Sequence, residues 1–247
     1  MLASATQPFV KAELKAALWD MDGTLVDTEP YWIAAERTLV EFHGGAWSHE
    51  QAMQLVGQSL MHSAGILQRA GVNLEKREIV DSLSAQVIDR LRVEVPWRPG
   101  AKELLDELYQ SGVRCALVTM SEGPMAREVV ANLPKPYFEF LITGDSVSRG
   151  KPHPEAYLAA VDRLQDTDPA LTVDHCVALE DSVPGVASAI ASGVVTVGIP
   201  HQMPLPEDPR RATWDTLEGR KVADLEALVA ERALGNVPAA AFLEQAN

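Results

Sequence analysis

Five short apolar runs, four of them ending in a cluster of polar side chains, constrain this chain more than any other feature. They fall at 16–19, 115–118, 138–143, 176–179 and 194–199. Each is long enough for a buried strand and too short for a helix. Around the later runs lie segments of helical periodicity at 102–110, 125–133, 154–164, 183–192 and 222–234. The segment 102–110 puts Leu104, Leu105 and Leu108 on one face, with Pro99 placed to open the helix and Gly112 to close it. Strands alternating with helices imply parallel strands in an α/β layer structure, a doubly wound parallel sheet.

One stretch breaks the alternation. From 28 to 97 no strand-like run appears, and the pattern reads as several helices: one with Pro30 in its first turn and Gly44–Gly45 at its end, then others over 60–70 and 75–93. Inserted directly after the first strand, it predicts a smaller helical domain over the strand ends. The expected division is a core of 13–27 and 98–235, an α-helical cap of 28–97, and tails at 1–12 and 236–247.

Composition excludes some partners. Lys and Arg number 21 against 35 Asp and Glu, a formal net charge of −14. Such a surface repels nucleic acid and anionic membrane, but a small phosphate remains admissible where one lysine and one cation reverse the field in a single pocket. No apolar run approaches bilayer-spanning length, and 1–10 lacks the charged, apolar and small-residue succession of a signal peptide. The expectation is a cytoplasmic monomer. Cys115 and Cys176 sit inside apolar runs and are expected to be reduced core thiols.

The polar clusters are Asp20-Met21-Asp22-Gly23-Thr24, Thr119-Met120-Ser121, Gly144-Asp145 with Gly150-Lys151-Pro152, and Glu180-Asp181-Ser182. In an open parallel sheet they follow the carboxyl ends of the strands, where ligands bind. Asp20 and Asp22, two apart, point the same way from an extended chain. Gly23 allows a sharp turn and close approach of a ligand to the backbone. Together with Asp181 the carboxylates make a hard oxygen site suited to Mg2+. Thr119 offers a hydroxyl to a phosphoryl oxygen, and Lys151 offers positive charge. Phosphoryl transfer asks mainly for positioning and charge neutralisation. An Asp-x-Asp after a strand also serves as a turn or cap; three partner clusters in order favour the chemical reading.

These motifs resemble the haloacid dehalogenase superfamily, in its branch of helical-cap phosphatases and sugar-phosphate mutases, over nearly the whole chain. The resemblance implies a Rossmann-like core and a small phosphorylated metabolite as partner. It implies Asp20 as nucleophile and Asp22 as acid and base, with Thr119 and Lys151 completing the catalytic set. Gly23, Thr24, Met120 and Ser121 would lie on the substrate. The Asp20 side chain, the Asp22 carbonyl and Asp181 would hold Mg2+, with Glu180 on the metal or one step behind it. Two departures stand out: Met120 where many relatives have asparagine, and Trp19 where many have phenylalanine.

Hydrolysis of a phosphate monoester is the leading expectation. A mutase would carry a cap arginine shortly after a glycine, whereas 57–62 reads Gly-Gln-Ser-Leu-Met-His. A phosphonate hydrolase would need a cap lysine, and Lys76 lies in a charged run. A dehalogenase would lack Asp22. A non-catalytic phosphate-binding protein is the alternative of another class.

Overall fold

The computed structural model describes residues 13–56 and 58–235. Six parallel strands form one sheet in the order β3-β2-β1-β4-β5-β6: β1 (Ala16–Trp19), β2 (Arg114–Val118), β3 (Phe138–Ile142), β4 (Cys176–Glu180), β5 (Val195–Gly198) and β6 (Ala212–Thr213). The first five fall on the apolar runs. The two-residue β6 was not expected, because its pairing with β5 follows a loop of no apolar periodicity and is set by tertiary contact.

The strands alternate between two buried layers. Ala17 and Trp19 of β1 face α5 (Ala101–Gln110), α6 (Gly123–Ala131) and α9 (Val222–Ala233), whereas Ala16 and Leu18 face α7 (Glu155–Gln165) and α8 (Val183–Ser192). Both faces of the sheet are thus covered, which explains near-continuous apolar strands. Cys115 and Cys176 are buried and free, and burial pushes each thiol up to about 12, leaving both inert. Gly100, at φ +79°, is the residue before α5, so the helix starts two residues past Pro99, the expected opening.

Between β1 and α5 the chain runs through α1 (Glu29–Phe42), α2 (His49–Met53), α3 (Leu60–Arg69) and α4 (Lys76–Val93). Ser48 and Gln51 form a reciprocal cap at the start of α2, and Ser59 caps α3. The chain leaves and re-enters the α/β layers side by side: the Asp27 amide donates to Pro96, and the Arg98 amide to Leu25. These paired segments form a narrow two-chain waist. Across the gap, Arg77 of α4 forks the carboxylate of Glu122 at 2.6 and 2.8 Å, and Arg92 reaches Glu128 of α6 at 3.2 Å. The segments 1–12 and 236–247, expected as tails, and Gly57 lie outside the described residues. No helix among the described residues is long and apolar enough to cross a membrane.

Candidate active site

The central strand of the sheet delivers the first carboxylate. β1 is flanked by β2 and β4, so the residues after these three strands meet at one edge. Asp20, Asp22, Gly23, Thr119, Met120, Ser121, Lys151 and Asp181 all line a single cavity beneath the helical insertion.

Lys151 is the electrostatic hub. Its side chain is 4% exposed, and Nζ donates to Asp20 Oδ1 at 2.6 Å, Glu180 Oε1 at 2.5 Å and the Val118 carbonyl at 2.8 Å. Three acceptors match the three protons of an ammonium. Burial works against its charge, but Asp20 and Glu180 outweigh burial and hold the ammonium well above its ordinary value. Met120 steadies this loop, since its sulfur accepts the Lys151 backbone amide at 3.2 Å. The departure from asparagine thus gives a thioether that packs on the 150–151 turn.

Asp22 is gripped from three sides. Thr28 donates to Oδ1 at 2.5 Å, and Ser121 and Thr119 reach Oδ2 at 2.7 and 3.3 Å. Thr28 stands at the start of the inserted helices, so the carboxylate of Asp22 is tied to the waist as well as to the sheet. Sequence reasoning did not single out Thr28, because a lone threonine before a helix reads as a cap.

Thr24 takes a different position from the expected one, and Glu180 is already engaged by protein groups. Thr24, expected on the substrate, is fully buried and away from the cavity wall; its hydroxyl donates to Asp181 Oδ1 at 3.2 Å. It turns inward because the tight turn at Gly23, φ +90°, reverses the chain there. A Cβ at Gly23 would overlap the Asp181 carboxylate, so glycine is required for the approach. Glu180, expected on or near the metal, is fully buried, and its Oε1 is already shared by Lys151 and the Tyr157 hydroxyl, the latter at 2.6 Å. Tyr157 escaped sequence reasoning because its position on α7 reads as ordinary core.

Asp20, Glu180 and Asp181 can each offer an oxygen within 4.8 Å of the others. Burial first, then the charge of Glu180, push the carboxyls of Asp20 and Asp181 well up, against the pull of Lys151 on Asp20 and of the Thr24 hydroxyl on Asp181. Three buried carboxylates thus face one ammonium, and the excess negative charge fits a small divalent cation with oxygen ligands. Asp20 and Asp181 are the two that border the cavity.

The fold and this acidic, lysine-bearing edge define a class, the capped α/β hydrolases. A family model for haloacid dehalogenase-like hydrolases matches residues 14–193. The chain is 33% identical over 208 residues to hexitol phosphatase A of Escherichia coli, covering 77% of this chain and 86% of that one. It is 30% identical over 202 residues to a phosphorylated carbohydrates phosphatase of Thermotoga maritima, covering 77% and 87%. The crystal structure of CbbY from Rhodobacter sphaeroides in complex with phosphate shares the fold, with a TM-score of 0.76 and 22% identity over 86% of this chain and 99% of that one. This chain therefore belongs to the haloacid dehalogenase-like hydrolases, and it is a phosphoric monoester hydrolase as its named relatives are.

Proposed function

We propose that this enzyme hydrolyses monophosphates of sugars, sugar alcohols and related small metabolites, with Asp20 as nucleophile and an aspartyl phosphate as intermediate. The observation that carries the reading is the pairing of Asp20, one oxygen held by Lys151, with Asp22 two residues on and anchored by three hydroxyls. The free oxygen of Asp20 attacks phosphorus while the ester oxygen departs with a proton from Asp22. Asp22, then a carboxylate, takes a proton from water as that water attacks the aspartyl phosphate, and inorganic phosphate leaves. Lys151 keeps Asp20 aligned and offsets the charge gathering on the phosphoryl group. Thr119 and Ser121 hold Asp22 in place between the two halves.

Asp20, Asp181 and the Asp22 backbone carbonyl would hold Mg2+, which would withdraw charge from a phosphoryl oxygen and let an anionic carboxylate approach an anionic ester. The helical insertion, taken as a cap over 28–97, would exclude water from the intermediate until the leaving group has gone. The names of the relatives by sequence favour hydrolysis over a mutase.

The reading is tested by phosphate release from a panel of sugar and sugar-alcohol monophosphates, in Mg2+ and in excess chelator. Release is expected in Mg2+ and loss of nearly all turnover in chelator. Full activity with chelator would remove the metal from the proposal, and isomer interconversion without release would replace hydrolysis by phosphoryl shift.

A further inference from the structure

The same cavity is also lined by side chains of the helical insertion that have no part in the chemistry above. Glu29 and Glu36 stand seven residues apart on α1, two helical turns, so they share a face with Trp32 between them. All three line the cavity, as does Ser63 of α3. Glu36 is 4% exposed and has one oxygen fixed by the Trp47 indole at 3.1 Å. Burial is the first cause that pushes both carboxyls up, Glu29 to about 8, helped by the charges of Glu36, Asp22 and Asp27, and Glu36 to about 7.

Among the described residues no Lys or Arg charge offsets these two groups. Among the described lining residues Lys151 alone is a Lys or Arg, and its ammonium is committed to Asp20 and Glu180. His201 lies at the cavity too, with its ring 2.9 Å from Asp27. Two arginines of the insertion are engaged elsewhere: Arg77 with Asp81 and Glu122, and Arg92 with Asp89 and Glu128.

The cavity therefore has two kinds of wall. The α/β layers supply a lysine and hydroxyls around the reacting carboxylate. The helical insertion supplies two carboxyl groups. Ionised, these carboxylates accept from the hydroxyls of a leaving group, whereas a second anion beside them finds neither charge balance nor full solvation. Trp32 gives the same wall an apolar surface for the C–H faces of a carbon chain.

We propose that Glu29 and Glu36 select the leaving group by charge: the enzyme takes monophosphates whose remainder is uncharged and hydroxyl-rich, and rejects those that carry a carboxylate or a second phosphate. This selection rests on the phosphatase reading of the same cavity and names the substrate class within it.

The test compares kcat/KM for three esters of one carbon skeleton: a hexitol 6-phosphate, the matching aldonic acid 6-phosphate and a hexose bisphosphate. Phenyl phosphate serves as a probe that has no hydroxyls or second anion. Assayed at about pH 9, where both carboxyl groups are ionised, the wild-type enzyme is expected to favour the hexitol ester over each anionic ester by roughly 100-fold, since like-charge juxtaposition costs several kcal/mol. In Glu36→Gln, in Glu29→Gln and in the double variant the ratio is expected to shrink by about tenfold or more, with anionic esters gaining in absolute kcat/KM. Each single variant stands alone should another fail to fold. Equal wild-type rates on the three esters, or ratios unmoved in folded variants, would overturn the proposal while phenyl phosphate turnover keeps the phosphatase reading intact. No phosphate release from any of the four would sink that reading and the selection with it.

Discussion

At the scale of single residues, the site separates groups that face the cavity from groups that hold them. Asp20 faces it, and Asp20→Asn is expected to lower kcat by at least about 10⁴-fold while thermal melting stays near wild type. Retained turnover would move the nucleophile elsewhere. Thr24 is a positioning residue, since its hydroxyl meets Asp181 and nothing in the cavity. Thr24→Val keeps the shape of the side chain and removes that bond. The expected result is a rise of about tenfold in the Mg2+ concentration for half-maximal activity, with kcat at saturating Mg2+ close to wild type. A fall in kcat that no Mg2+ concentration recovers would place Thr24 in the chemistry instead. Met120 teaches the converse lesson: a residue at a motif position kept its place in the cavity wall but bonds the lysine loop through sulfur.

At the scale of elements, α4 and α6 are joined by a clasp of charges. Arg77 and Arg92, four helical turns apart, pair with Glu122 and Glu128, and both arginine side chains are at least half exposed. Exposed pairs contribute little to stability and are screened by salt. In the proposed closure of the insertion over the site, these pairs would favour the closed arrangement. The double variant Arg77→Ala/Arg92→Ala is expected to raise KM about two- to fivefold and to flatten its dependence on ionic strength. Salt slopes parallel to wild type would assign the clasp no role in closure. Gly185 of α8 shows how tightly elements meet: a Cβ there would overlap the Glu180 carboxylate, so the helix approaches the strand only with glycine at that point.

At the scale of the whole molecule, burial of carboxyl groups ties stability to pH. Glu36 has a folded pKa of about 7 against an ordinary 4.5, raised by burial and opposed only by the Trp47 hydrogen bond. A raised acid binds its proton more tightly in the folded state. Its contribution is therefore fully present below about 4.5 and is lost as pH rises through about 7. The difference in melting temperature between wild type and Glu36→Gln is expected to fall from pH 5 to about pH 7 and to level off above it, on the order of 2 kcal/mol in stability. A difference constant across that range would mean that Glu36 is solvated or counter-charged in the folded protein.

Much of this architecture is local and was legible in the chain. Five apolar runs became five strands because a strand buried on both faces must be apolar throughout, and turn residues such as Gly112 marked where helices stop. The catalytic candidates Asp20, Asp22, Thr119 and Lys151 were legible as well, since each follows a strand at the edge where a parallel sheet binds ligands. Roles that depend on what lies across a gap were not. Thr24 turned away from the cavity, Tyr157 reached Glu180 over 23 residues of sequence, and Glu36 met the cavity from a helix whose pattern reads only as amphipathic. Periodicity states which side of an element is buried; only the packed fold decides which buried groups meet, because hydrogen bonds and charges act over a few ångströms between segments far apart in the chain.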